Sequence, residues 1–216
     1  MKKCKLIGLL LGILLLTWWL TTALPRPQSD NLSKQAETAA ELGQPAVGYP
    51  QRIVSLSPGH TEILFALSAG DRVVGVTSYS DYPEEAKTKP SVGGYHAPDV
   101  ETIVALRPDV VFFFFYIQEP YTRILRQAGI RVIAVEPKTL EEILVAIVIM
   151  SEAVGEQEKG MELHRRLRNQ LETVQQMVSA LPTRSVFLEV WDAPLLTVGN
   201  RSFIHDVVRQ AGGVNV

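Results

Sequence analysis

A run of six apolar residues, Val110-Val111-Phe112-Phe113-Phe114-Phe115, constrains the fold more than any other segment. Successive side chains of a strand point to opposite faces, so a strand with no polar position must be covered on both. That is the condition of an inner strand in a parallel sheet flanked by helices. The neighbouring segments supply the rest of such a sheet. Ile53–Leu56, Val73–Val76 and Arg131–Val135 are short apolar strand candidates. Helical patterns alternate with them. One runs over Thr61–Ser68 and stops at Gly70. A second starts at an Asp99 cap, passes through Ile103, Val104 and Leu106 and ends before Pro108. A third covers Pro120–Ala128 and ends at Gly129. This alternation with short connections predicts an α/β fold built on a doubly wound parallel sheet.

The second half opens differently. Leu140, Ile143, Leu144, Ile147, Val148 and Val154 keep a helical period, Gly155 interrupts, and Leu167, Leu171, Val174, Val178 and Leu181 resume it. A helical region of about 40 residues follows, roughly 60 Å long if straight at 1.5 Å per residue. That is long enough to link two lobes. Beyond it, Ser185–Val190 reads as a strand, Asp192–Pro194 as a turn and Phe203–Gln210 as a helix stopped at Gly212-Gly213. The expected organisation is an N-terminal lobe over 51–137, a linking helix region over 138–181 and the start of a second α/β lobe over 182–216.

The N-terminus is of another kind. Lys2, Lys3 and Lys5 precede an uncharged apolar run from Leu6 to Leu20, and Thr21-Thr22-Ala23 supplies the small residues of a cleavage site. This is the order of a secretory signal. A retained anchor stands beside it, because the uncharged stretch approaches the length of a membrane span and Trp18 and Trp19 suit an interface. Either reading places the body outside the cytoplasm, in the periplasm or at the outer face of the membrane. Residues 24–50, with Pro25, Pro27, Pro45 and Pro50, read as a polar tether. The formal charge of the chain is -2, and with three of its cations in the leader the remainder is mildly acidic. Nucleic acid, which demands clustered Lys and Arg, is excluded as a partner. The single cysteine, Cys4, excludes an internal disulfide.

Catalysis finds little support. No glycine-rich phosphate loop follows a strand; the turn after the first strand is Ser57-Pro58-Gly59. The long aperiodic segment from Thr77 to Pro98 offers aromatic residues more than titratable ones. In an open α/β sheet, ligands bind outside the carboxyl ends of the strands, where this loop belongs. Tyr79 and Tyr82 are therefore candidates to cover an apolar ligand face. Gly93-Gly94 permits close approach of the backbone beside Tyr95 and His96. His60 stands at the end of the first strand, and Trp191 is the candidate from the second lobe. His60, His96 and His205 could also converge on zinc or manganese, which leaves a metal-capture protein as an alternative.

Several motifs in order, Arg52-Ile53-Val54-Ser55-Leu56-Ser57-Pro58 with Thr61-Glu62, Ser78-Tyr79-Ser80-Asp81-Tyr82-Pro83, Val100-Glu101-Thr102-Ile103-Val104-Ala105-Leu106-Arg107-Pro108-Asp109 and Ala211-Gly212-Gly213-Val214-Asn215, resemble the periplasmic cobalamin and iron-siderophore binding proteins of ABC importers. The Tyr79 motif leans toward the cobalamin branch. The resemblance implies two α/β lobes joined by a long helix, with cobalamin or a ferric siderophore-like chelate held between them as cargo. It implies no intrinsic cofactor and no enzymatic activity. It also implies delivery to a permease and its ATPase, with Glu101 docking on permease arginines, and places Tyr95 at an aromatic ligand platform. Family members continue through several further strands and helices, so residues 182–216 correspond only to the start of the second lobe. A non-binding remnant therefore stands as a further alternative.

Overall fold

The computed structural model describes residues 48–216. The apolar leader and all but the end of the tether lie outside the described residues. Four strands, β1 (Ile53–Ser55), β2 (Val73–Val76), β3 (Val110–Phe113) and β4 (Arg131–Ala134), form an all-parallel sheet in the order β2-β1-β3-β4. Register is fixed by pairs such as Val54 with Val111 and Val111 with Val132. The strand order reverses direction between β1 and β3, the switch point of a doubly wound sheet.

Alternate residues of the strands feed two cores. Ile53, Val110, Phe112 and Ile133 face helices α1 (Pro58–Ala66) and α4 (Leu140–Val154) through Leu64, Ala146, Ile147 and Met150. Val54, Val111, Phe113 and Val132 face α2 (Val100–Ala105) and α3 (Phe115–Gln127) through Ile103 and Leu125. Every residue of β3 is buried, as its uninterrupted apolarity predicts. Burying side chains of this size contributes about 1.5–3 kcal/mol each.

The edge of the sheet opposite the strand exits is tied by polar contacts. Asp109 accepts hydrogen bonds from the backbone N–H groups of Gln51 and Arg52 at 2.7 and 2.8 Å, and the Arg52 guanidinium donates to the Leu106 and Arg107 carbonyls. The Arg107-Pro108-Asp109 turn is thus clamped to the start of β1. Asp99 caps α2 as expected, accepting from the Thr102 N–H and hydroxyl.

Several boundaries differ from the sequence expectation, and α1 already begins at Pro58 rather than at Thr61. The strand expected over Val110–Phe115 ends at Phe113, and α3 starts at Phe115 rather than at Pro120. Proline is favoured in a first helical turn, but Pro120 lies inside α3, and the turn before it is held by the side chain of Gln118, which accepts from the Phe114 N–H at 2.8 Å. The expected helical region is two helices, α4 and α5 (Gln157–Ser179), packed on each other. Gly155 ends α4 with a left-handed φ of 78°, and Gly160 lets the helices approach so closely that a Cβ there would lie 2.1 Å from the Ser151 hydroxyl. Arg72 bonds the Pro50 and Val154 carbonyls and the Glu156 carboxylate, latching this junction to the first sheet. The strand expected over Ser185–Val190 is broken at Phe187–Leu188 into β5 (Arg184–Val186) and β6 (Glu189–Asp192). β6 forms a hairpin with β7 (Leu195–Thr197), while β5 pairs in parallel with β8 (Gly213–Asn215) across helix α6 (Phe203–Gln210).

Candidate binding cleft

A cavity of about 730 Å³ opens outside the carboxyl ends of the first sheet. Each strand exit contributes to it: Ser57–His60 after β1, Tyr79 after β2, Phe114 after β3 and Pro137 after β4. Ile143 of α4 and Phe203 of α6 close the opposite side. Its volume falls in the range of small-molecule sites, and its wall is mostly apolar with few polar groups, the usual make-up of a preformed ligand pocket.

Aromatic rings dominate the wall. His60 stacks on Phe114 with centroids 5.4 Å apart and an interplanar angle of 23°. Phe114 meets Tyr95 edge-on at 5.9 Å, and Tyr95 meets His96 edge-on at 5.2 Å. The His60 ring is buried, and its Nε2 donates to the Val135 carbonyl at 2.8 Å, which fixes the tautomer. Burial drives its pKa down to about 4, against a smaller upward pull from the Val135 bond, so the ring is neutral at pH 7. It therefore acts as wall rather than as a charged group. Partial burial, with the Glu136 carboxylate, raises the pKa of Tyr95 above its ordinary value, so its hydroxyl stays protonated.

A buried hydroxyl network holds the loop that carries Tyr79. The Thr61 hydroxyl lies 2.9 Å from the Ser55 hydroxyl, 3.0 Å from the Ser57 carbonyl and 3.2 Å from the Ser80 hydroxyl. Thr77 completes it at 3.1 Å from Ser80. The Ser55 and Ser80 hydroxyls and the Ser57 carbonyl belong to the Ser55-Leu56-Ser57 and Ser78-Tyr79-Ser80 motifs, so these residues pin the loop while Tyr79 remains 63% exposed at the cavity.

The structure brings together four of the residues singled out in the sequence: His60, Tyr79, Tyr95 and His96. Tyr82 faces elsewhere, lining a separate cavity of about 680 Å³ with Phe65, Glu85 and Lys89. Trp191 lies outside both; it sits on the exposed β6–β7 hairpin and donates from Nε1 to the Ala193 carbonyl. The second layer instead reaches the cavity through Phe203, at the start of α6. Phe114, Ile143 and Phe203 escaped the sequence reading because each looks like core in its own segment. The one available signal was Phe114, the fifth residue of an apolar run longer than the strand needs. Glu101 is exposed in the first turn of α2. Among the described residues, no group of three or more His, Cys, Asp or Glu could hold a metal ion. His205 lies on α6 and does not join His60 and His96 at the cavity.

A model of the periplasmic binding protein family matches residues 53–216. The chain belongs to the periplasmic binding protein family. It is similar to the vitamin B12-binding protein of Vibrio vulnificus, 31% identical over 168 residues that make up 77% of this chain and 61% of the relative. Among solved structures it resembles the periplasmic vitamin B12 binding protein BtuF of Vibrio cholerae, with a TM-score of 0.70 and 30% identity over 77% of this chain and 66% of that one. It also resembles a periplasmic heme binding protein of Pseudomonas aeruginosa, with a TM-score of 0.72 and 27% identity over 77% and 62% of the two chains. The chain thus spans about three fifths of the length of the curated relatives it matches. The parallel four-stranded lobe, packed helices and partial second lobe of this chain match that fold over the shared length.

Proposed function

We propose that this chain is the exported capture component of an ABC importer and holds one face of a corrinoid, cobalamin or a close relative, against the aromatic wall of the cleft. The carrying observation is the run of rings His60, Phe114, Tyr95 and His96 at the strand exits, with Tyr79 at the rim. A broad macrocycle gains contact area from such rings at little entropic cost. Charge argues for the corrinoid over an anionic chelate. Among the described residues lining the cavity there is no Lys or Arg, and the exposed Glu62 carboxylate is at its edge. Carboxylates of heme or of a polyanionic siderophore would be desolvated there without a counter-charge, which is costly. The amide-fringed corrin does not meet that penalty. The absence of a three-ligand cluster among the described residues weighs against free zinc or manganese as cargo.

Delivery to the permease and its ATPase rests on the exposed Glu101 carboxylate, which is free to meet a permease guanidinium. The test is calorimetric titration of the full chain with cyanocobalamin, hemin, a ferric catecholate and zinc. Saturable binding of cyanocobalamin, weakened about tenfold or more by Tyr95→Ala, is expected from loss of a stacked ring. Preference for hemin, the catecholate or zinc would overturn the corrinoid assignment, and no heat with any of the four would overturn capture itself. Glu101→Gln is expected to leave that titration unchanged while lowering stimulation of importer ATPase activity.

A further inference from the structure

We propose that Gln118 is a positioning residue of the cleft, setting the aromatic wall without touching the ligand; this rests on the capture reading above. Gln118 lies one turn into α3 and its side chain is fully buried. A buried amide carries a heavy penalty unless its groups are bonded, and this one is bonded to three separate chain segments. Its Oε1 accepts from the Phe114 N–H at 2.8 Å. Its Nε2 donates to the Leu56 carbonyl at 2.8 Å and to the Tyr95 carbonyl at 2.8 Å. Two carbonyls require the amide nitrogen and one N–H requires the amide oxygen, so the orientation of the amide is determined by its partners.

The three partners are what make this more than a core contact. Leu56 is the exit of β1, immediately before the cavity-lining Ser57. Phe114 is the exit of β3 and the ring on which His60 stacks. Tyr95 belongs to a loop of mostly irregular backbone between β2 and α2. The Phe114 and Tyr95 rings meet edge-on at 5.9 Å, a geometry that a shift of either backbone would undo. A single amide thus sets the spacing of the two rings from behind, across sequence separations of 4 and 23 residues. Neither ring is held by a side-chain hydrogen bond of its own in the contacts described, which leaves their backbones as the handles.

The experiment uses the full chain labelled with 3-fluorotyrosine, the Tyr95 resonance being assigned by its loss in Tyr95→Phe. Two variants are compared with wild type. Gln118→Met keeps the volume and removes all three bonds. Gln118→Glu keeps an acceptor for the Phe114 N–H and removes both donors. In each, the Tyr95 fluorine signal is expected to move toward that of free fluorotyrosine while the Tyr49 signal stays in place, and affinity for cyanocobalamin is expected to fall about tenfold, the scale of one lost buried hydrogen bond. If Gln118→Met does not fold, Gln118→Glu carries the test. An unmoved Tyr95 signal in a folded variant overturns the proposal, and so does a moved signal with unchanged affinity. If the wild type binds no probe, the capture reading fails, and the Tyr95 signal still decides whether Gln118 sets the wall.

Discussion

Every side chain of β3 is buried, whereas every residue of the β6–β7 hairpin is exposed, although that hairpin carries Val190, Trp191, Leu195 and Leu196. Both stretches satisfy the propensities of a strand. What separates them is the covering layer. β3 sits between β1 and β4 with helices on both faces, so its phenylalanines leave water entirely. The hairpin has one partner strand per strand, and two-stranded ribbons have no interior of their own. Apolarity permits burial, and neighbours decide it. The same contrast governs the cleft: its wall is built almost wholly by the first sheet, and the second layer adds Phe203.

The largest expected effect breaks the covered region. Phe112→Ala removes a ring that is fully buried and packed edge-on near His60. A loss of about 3–5 kcal/mol is expected, measured as the shift in urea unfolding midpoint with an unchanged slope. A cost under about 1 kcal/mol would mean that the first sheet is not the packed unit described.

A smaller effect tests the same region by pH. The His60 pKa is lowered in the folded state to about 4 from an ordinary value near 6.5. Between these values the unfolded chain binds a proton that the folded chain refuses, so stability falls as pH drops through that window and levels off below it. The loss is on the order of 3 kcal/mol at roughly 1.4 kcal/mol per pH unit. Unfolding midpoints between pH 7 and pH 4 check this. His60→Phe should flatten the profile in that window, and a profile as steep as wild type would show that the acid sensitivity arises elsewhere.

The smallest effect belongs to the uncovered region. Leu195→Ser changes a side chain 61% exposed, opposite Asp192 in the hairpin. Stability should move by no more than about 0.5 kcal/mol. A loss comparable to that of Phe112→Ala would show that the hairpin is covered in solution, and would erase the contrast drawn above.

Much of the fold was legible because its signals are local. The apolar run at Val110, the Asp99 cap, Gly129 and the stop at Gly212 each act through nearest neighbours. The Phe203–Gln210 helix appears with its expected bounds for the same reason. Tyr79, Tyr95, His60 and His96 could be placed near one another because the carboxyl ends of parallel strands share one edge. Trp191 could not be placed, since whether a hairpin turns toward or away from a cleft depends on packing that no local pattern encodes. The split of the linking helices was half visible: Gly155 marked the break, but the packing of α5 onto α4 depends on how Gly160 meets Ser151.

The sequence by itself determined the α/β class, the strand order's parallel sense, the edge of the sheet that carries the loops and the aromatic character of those loops. These follow from periodicity, capping and chain connectivity, which act over a few residues. Only the tertiary structure decided which aromatics share a wall, that Phe114 and Phe203 belong to it, that Trp191 does not, and that one buried amide at Gln118 joins three strand exits and loops. Those facts depend on contacts between segments far apart in the chain; the Gln118–Leu56 bond alone spans 62 residues. Close packing and the need to satisfy every buried polar group select one arrangement there among many that the local pattern allows.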